Sequence, residues 1–526
     1  MKISKLKINI WTILAIISIC FLLTITYWNS FNMPWERDEG EYAYSAWLLD
    51  QGLAPYENSF LQKPPMIIYT YWLAQQINPD ALWPPRLLSF IATALTIVLL
   101  ALIARRQYGN RASLITAWLA IPMLSLPHIT ALSANTEKFM LLFLTIVLAL
   151  YVYYQKSEKK WPWILAGIAA AIALLYKPIA LLPLIFIFTI WLIQYYQDKK
   201  NLKLLLQKIL FIGLAGMITV FLALSYFIFT GTFKYFWEFV IIFNSYYAAQ
   251  MNQYLSWAPP RHLTLFWTNW WVLFIITGFA ALMRIKNWWF YLILILLSIL
   301  SVFTSPIGHY YLLLMPWWIL IATGGIVRLL NYQKIKQLNY EWQRIIKVIV
   351  VGTIMVIILW PVQQQYFLKP KDLNLWIYGG GEPFLESQVV ADKVAELTNP
   401  DDKIFVAASE PQIYYYSKRL SVNRFIITFA LLIDTPLRDK HQQQAIDALE
   451  SDKPKVIVYS QLPANGLWEE DVPTNFIDHL HSLINNDYEL IGGFVRDRDI
   501  YGHWQEPLTN EAQIKNSSLL LFKLKE

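Results

Sequence analysis

PPRLLSFIATALTIVLLALIARRQYGNRASLITAWLAIPMLSLPH, residues 84–128, decides the fold. Two apolar runs, 84–104 and 112–128, flank a short basic turn that holds Arg105, Arg106 and Arg111. A helix needs roughly 20 apolar residues to cross the hydrocarbon core of a bilayer. Backbone placed there must satisfy its own hydrogen bonds, and a continuous apolar run does so only as a helix. Arginines gathered in the turn mark its side of the membrane as cytoplasmic. The stretch therefore reads as a helical hairpin whose turn faces the cell interior.

Working outward, the same pattern recurs at 8–28, 137–154, 161–176, 178–196, 208–230, 264–283, 288–304, 310–330 and 345–361, which makes eleven predicted spans. Pro162 and Pro178 stand near helix starts, where a missing N–H costs little, and Lys177-Pro178 separates two adjacent spans. Lys156, Lys159 and Lys160, then Lys199, Lys200 and Lys203, then Arg284 and Lys286, then Lys334 and Lys336 fall on the same side as the arginine turn. Lys2, Lys5 and Lys7 join them, so the N-terminus is expected in the cytoplasm and everything after Pro361 outside it, in a multi-pass protein of the cell (inner) membrane. The outward loops are then 29–83, 129–136, the Lys177 junction, 231–263 and 305–309. The first run is long enough to span, and its end, TYWNSFN, lacks a small-x-small cleavage pattern, so it is expected to stay as an anchor.

Composition agrees. Of 526 residues 56% are hydrophobic and only 15% charged, with a mean hydropathy of +0.39, too apolar for a soluble chain of this length. The 24 tryptophans and 31 tyrosines tend to sit at the ends of the runs, where amphipathic rings settle at the headgroup level. A formal charge of +7 could suggest a nucleic-acid partner, but the basic residues punctuate the spans and do not line one face, so the expected surroundings are the lipid bilayer and no nucleic acid. Cys20 is the single cysteine, which excludes an internal disulfide and a cysteine metal cluster.

After about Gln363 the pattern changes to short apolar runs among polar residues and turn formers. The expected division is a transmembrane domain, 1–362, with a large first outer loop at 29–83, and an extracytoplasmic soluble α/β domain, 363–526. In the latter, helices are predicted at Glu386–Leu397, Lys440–Leu449 and Asn475–Leu483. Strands are predicted at Lys403–Ala407, Arg424–Thr428, Val456–Ser460, Leu490–Val495 and Leu519–Leu524, in a partly parallel sheet. Gly379, Gly380 and Gly381 lack dinucleotide-binding spacing and are assigned to a linker.

Chemistry-bearing residues concentrate in the first outer loop, RDEGEYAYSAWLLDQGLAPYENSFLQKPP, residues 37–65. Arg37, Asp38, Glu39 and Glu41 stand directly beyond a span, where charge costs desolvation and tends to serve function. Asp38-Glu39 can supply a carboxylate base, and Glu41–Leu49 reads as an amphipathic helix lying along the interface. The plainer alternative is a solvated loop with carboxylates at a helix N-terminus. Lys63 precedes Pro64-Pro65, whose fixed backbone would hold the ammonium in place for a lipid phosphate, against the plainer alternative of an interfacial snorkelling lysine. Glu137 in SANTEKFMLLF is either a functional carboxylate or a first-turn capping group. Lys177 in ALLYKPIALL and His309 in SPIGHYYLLLMPWW complete the set. If the topology holds, all these groups reach one membrane face and an outward polar pocket is expected.

RDEGEYAY with a downstream KPP, the Thr136-Glu137 pair, the Tyr176-Lys177-Pro178 break and GHYYLLLMPWW, taken together, resemble the bacterial branch of the protein O-mannosyltransferase and aminoarabinose-transferase-like family, within the GT-C glycosyltransferases. The resemblance runs the length of the chain and includes DDKIFVAASEPQIYYYSKRLSVNRF of the tail. It implies a GT-C fold and a polyprenyl-phosphate sugar donor, with transfer outside the cytoplasm to a glycolipid, glycan or protein acceptor. Asp38 would then be the catalytic base, with Glu39 beside it, and Glu137, at the family's second acidic position, a further catalytic carboxylate. Lys63, Arg37 and Lys177 would hold the donor phosphate, and Tyr42, His309 and Tyr310 would line the pocket. Displacement at the anomeric carbon with inversion is implied. Some relatives carry an acidic residue just before the KPP lysine and pair it with histidine to hold a metal. Gln62 stands there in this chain and is a poor zinc ligand, so no cofactor is assigned and a divalent metal is not favoured. The tail lacks a WWD-type signature, which argues against block transfer of a glycan to asparagine. From other classes, a transporter or flippase would place ionisable groups at mid-membrane in repeated halves, and a polysaccharide polymerase or ligase would lack the RDEGEYAY and KPP pair.

Overall fold

A computed structural model describes residues 10–250, 253, 255–462, 475–496 and 502–526, so Lys2, Lys5 and Lys7 lie outside the described residues. Each of the eleven predicted runs is a helix over most of its length: Ile10–Trp28, Trp83–Tyr108, Asn110–Leu124, Thr136–Tyr154, Trp161–Tyr176, Leu181–Lys199, Leu202–Phe229, Ala258–Leu282, Trp288–Val302, Met315–Leu330 and Tyr340–Leu359. Among the described residues seven helices, some with an adjoining turn, are long and apolar enough to cross a membrane; Thr12–Trp28, Trp161–Tyr176 and Trp288–Val302 are apolar but shorter. The protein is a multi-pass helical membrane protein. The run predicted to reach residue 128 stops earlier: Pro122 lies inside helix Asn110–Leu124, and Pro127 opens a separate 3₁₀ turn, Pro127–Ile129. A proline inside a helix removes a hydrogen bond and crowds the preceding turn, which favours an end soon after it.

By internal contacts the chain forms two compact units, where the sequence reading drew one boundary after 362. One comprises Met1–Phe31, Arg86–Leu222 and Met251–Lys369; the other comprises Asn32–Pro85, Ala223–Gln250 and Pro370–Glu526. In the first, the segment Gly308–Leu330 is mostly buried and forms the centre, whereas helix Leu202–Phe229, which belongs to this unit up to Leu222, leaves most of its apolar surface exposed. The central helix is placed by polar pins and by close approach. Trp317 Nε1 donates to Ser298 Oγ at 2.9 Å and Trp318 Nε1 to Thr277 Oγ1 at 3.0 Å. A Cβ on Gly325 would lie 2.9 Å from the Ile276 carbonyl oxygen, so glycine lets these helices meet backbone to side.

The second unit is built on a five-stranded sheet of order β1-β2-β5-β3-β4, with β1 Ile404–Ala407, β2 Val456–Ser460, β3 Tyr488–Val495, β4 His503–Gln505 and β5 Ser517–Leu524. β1 and β2 are parallel, in register Ile404 to Val456, and the remaining pairs are antiparallel. Helices Phe384–Leu397, Arg438–Ser451 and Asn475–Asp487 match the predicted ones. The predicted strand Arg424–Thr428 is not one: Phe425 and Ile426 are buried as core plugs in an irregular segment. Its backbone is held by Phe425 N–H donating to Asn423 Oδ1, 2.8 Å, and by the Arg424 carbonyl accepting from Phe60 N–H, 2.6 Å.

Helix Arg37–Asp50 corrects a second expectation. It does not lie amphipathically along an interface, since Glu39 to Ala46 are all buried, on every side of the helix. Gly40 packs on the backbone of helix Gln412–Ser417, the Tyr44 ring lies tilted against that of Tyr414 with centres 5.3 Å apart, and its hydroxyl accepts from Ser421 N–H at 3.0 Å. Trp35, just before it, is enclosed by Tyr71, Tyr415 and Tyr416. The helix is thus a core element of its unit.

Candidate functional site

The start of helix Arg37–Asp50 is fixed by its first four residues. Glu36 is the N-cap: its carboxylate accepts from Asp38 N–H at 3.3 Å, and Glu39 Oε2 accepts from Glu36 N–H at 3.3 Å, a reciprocal capping box. Glu39, expected among the catalytic carboxylates, is buried and engaged in that cap. Asp38 and Glu41 are three residues apart and so share a helix face. Lys63 reaches that face from the loop ahead of helix Met66–Gln75, with the Tyr56 hydroxyl donating to the Lys63 carbonyl at 2.8 Å and Pro64-Pro65 leading into the helix. Its ammonium lies 3.2 Å from Asp38 Oδ1 and 2.9 Å from Glu41 Oε2, and 5.6 Å from the centre of the Tyr42 ring. Exposure separates the two carboxylates: the Asp38 side chain is 21% exposed and that of Glu41 1%. Asp38 is the one a second molecule can touch.

Arg37 points elsewhere. Its Nε donates to the Ser409 carbonyl at 2.5 Å, and its Nη2 lies 2.9 Å from both Glu382 and Glu410. With three protein acceptors on its guanidinium, Arg37 ties this helix to the tail. Burial pushes the Glu410 carboxyl up to about 7, despite Arg37 beside it, and Gln412 Nε2 donates to its other oxygen at 2.6 Å.

The helical unit holds a second cluster. Glu137 stands in the first turn of helix Thr136–Tyr154, and no side-chain cap bond forms at Asn135. Its carboxylate pairs with Lys177, accepts from Thr136 Oγ1 at 3.0 Å and lies 3.8 Å from His309 Nε2. His309 Nδ1 contacts Thr130 Oγ1 at 3.0 Å, and the Lys177 ammonium sits 3.3 Å from the centre of the Tyr310 ring. Glu137, Lys177 and His309 are all buried. The sequence-predicted residues thus gather as Asp38, Glu41, Lys63 and Tyr42 in one unit and as Glu137, Lys177, His309 and Tyr310 in the other. Among the described residues no three His, Cys, Asp or Glu side chains gather closely enough to hold a metal ion.

Sequence reasoning passed over several charged groups. Lys138 is buried beside Glu137, donating to the Tyr27 hydroxyl at 2.7 Å and to the Leu124 carbonyl. Arg86 is fully buried with Nη1 on the Ser30 carbonyl. A charge inside an apolar run is itself a signal, because it must find partners there. Glu382 and Glu410 gave no such signal, since tails are rich in carboxylates. In the segment after residue 230, Glu238 pairs with Lys440 at 3.0 Å and His441 at 3.1 Å.

Residues 62–236, about a third of the chain, match the profile of the family described as dolichyl-phosphate-mannose-protein mannosyltransferase. The structure is similar to that of ArnT from Cupriavidus metallidurans in the apo state, with a TM-score of 0.60 and 14% identity over 97% of both chains. The same protein bound to undecaprenyl phosphate gives a TM-score of 0.58 at 14% identity, again over 97% of both chains. The oligosaccharyltransferase of Archaeoglobus fulgidus, tethered with an acceptor peptide containing the NVT sequon, gives 0.53 at 12% identity, covering 95% of this chain and 74% of that one. No curated protein matches the sequence significantly. The chain shares its fold with ArnT, and its residues 62–236 match the mannosyltransferase family.

Proposed function

We propose that this protein is a membrane glycosyltransferase that moves one sugar from a polyprenyl-phosphate donor to a hydroxyl of a glycolipid, glycan or protein acceptor at the outer face of the cell membrane, inverting the anomeric centre. The observation that carries the reading is Lys63 held between Asp38 and Glu41, with Asp38 the exposed partner. It is supported by the fold shared with a protein whose structure contains undecaprenyl phosphate. It is also supported by the mannosyltransferase-type segment that begins at residue 62.

Before donor binds, the ammonium is satisfied by two carboxylates. A donor phosphate offers the ammonium a further charge-assisted partner. Lys63 turns toward it while staying anchored on the enclosed Glu41, and Asp38 is released. Asp38 then takes the proton of the acceptor hydroxyl as that oxygen attacks the anomeric carbon. The bond from that carbon to the phosphate oxygen breaks, and its electron pair leaves with the polyprenyl phosphate, whose growing charge Lys63 offsets. One displacement needs no second nucleophilic carboxylate. A transporter reading fares worse, since Glu137 and Lys177 stand at helix ends and not at mid-span.

Lys63→Met tests the reading in proteoliposomes supplied with a polyprenyl-phosphate monosaccharide and envelope glycolipid. Transition-state charge stabilisation of this kind is worth about 10²–10³ in rate, so kcat/KM for the donor is expected to fall by that much. Unchanged transfer would remove Lys63 from the mechanism, and transfer only from oligosaccharide diphosphate lipids would point to a ligase.

A further inference from the structure

The helical unit has a second polar feature, at the far end of helix Thr136–Tyr154 from Glu137, about 27 Å away at 1.5 Å per residue. A cavity of about 670 Å³ opens there, between the ends of helices Trp83–Tyr108, Thr136–Tyr154 and Leu181–Lys199 and the turn ahead of helix Trp288–Val302. Its lining is polar at the level where apolar helices meet water, on the side that the basic loops assign to the cytoplasm.

Three cations face it, Arg106, Lys156 and Lys286, against one carboxylate, Asp198, which pairs with Lys156 at 3.0 Å. The lining therefore carries net positive charge. Two of its glutamines are oriented by tyrosines. The Tyr291 hydroxyl donates to Gln107 Oε1 at 2.7 Å, and the Tyr151 hydroxyl donates to Gln194 Oε1 at 3.2 Å. With their carbonyl oxygens engaged, both amides offer N–H groups as their remaining capacity. Asn287, also in the lining, is the N-cap of helix Trp288–Val302 and makes no side-chain cap bond, so that helix adds its positive end to the same place.

A site that is rich in donors, cationic and open at the membrane surface suits a group of several anionic oxygens attached to a lipid. Basic pockets between helices on the cytoplasmic side bind such head groups. We infer that this cavity binds the phosphate of an anionic phospholipid from the cytoplasmic leaflet. The inference is independent of the reaction proposed above.

Native mass spectrometry of the full chain, titrated with phosphatidylglycerol against a phosphatidylcholine background, tests it. Each surface cation is worth about fivefold in affinity for an anionic lipid, so Arg106→Gln is expected to weaken retention about fivefold and Arg106→Gln/Lys286→Gln about 25-fold. Lys203→Gln, an exposed charge on the same side that does not line the cavity, is the control. Retention unaffected by the double substitution, or lost equally in the control, overturns the site. Millimolar inorganic phosphate in solution is the second arm: lipid that stays bound supports a head-group site, and displacement by free phosphate overturns the lipid assignment.

Discussion

At the scale of single residues, three neighbouring charges have three different fates. Arg37, Asp38 and Glu39 follow one another in sequence, yet one ties the helix to the tail, one meets Lys63 and one completes a cap. The sequence placed all three in a charged loop at the membrane mouth, and their spacing with Lys63 made the cluster legible. It could not assign roles, because those depend on Glu382 and Glu410, more than 340 positions away. Glu410 makes a measurable prediction. Burial pushes its carboxyl up to about 7 from an ordinary value of 4.5, so the folded state binds this proton more tightly than the unfolded chain does. Its contribution to stability is therefore greatest below pH 4.5, falls as pH rises from about 4.5 to about 7, and is constant above. Thermal unfolding of wild type and Glu410→Gln in one detergent, followed across this range, is expected to show the wild type losing ground to the variant as pH rises. Parallel curves would contradict it.

At the scale of elements, periodicity served well where one face of an element decides its place, and poorly where tertiary contacts do. The apolar runs and the three tail helices were legible because each has its own pattern. Residues 424–428 look like a strand, apolar and β-branched, but their hydrogen bonds go to Asn423, Phe60 and Ala408 and form no ladder. β4, His503–Gln505, is too short to show a pattern. Helix Arg37–Asp50 was misread for a related reason: enclosure on all sides leaves no polar face to recognise. Its burial gives a second prediction. A Cβ on Gly40 would lie 2.5 Å from the Gln412 backbone nitrogen, and backbone cannot swing aside. Gly40→Ala is expected to cost about 1–3 kcal/mol, typical of overpacking, and to lower the unfolding temperature. An unchanged unfolding temperature would mean that the two helices can part.

At the scale of the whole molecule, orientation in the membrane rests on the basic loops, and the chain's single cysteine makes it simple to test. In a Cys20→Ser background, Lys203→Cys is expected to react with a membrane-impermeant maleimide only after permeabilisation, whereas Asp392→Cys is expected to react in intact spheroplasts. The reverse pattern would invert the topology and place the proposed chemistry on the wrong side for a donor presented outside. That the chain is a multi-pass helical membrane protein was legible from hydropathy alone, whereas the GT-C fold was implied only by the family resemblance. The grouping of 32–85 and 223–250 with the tail was not, because nothing local marks which outward loops belong to which unit. The proposed reaction rests on one carboxylate. Transfer from a polyprenyl-phosphate monosaccharide should be measured side by side for wild type, Asp38→Asn and Glu39→Ala, each normalised to folded protein. Loss of a general base costs about 10²–10⁴ in rate and loss of a cap about 1 kcal/mol in stability. Asp38→Asn is therefore expected to lose at least a hundredfold while Glu39→Ala transfers at near the wild-type rate, and full activity in Asp38→Asn would contradict the mechanism.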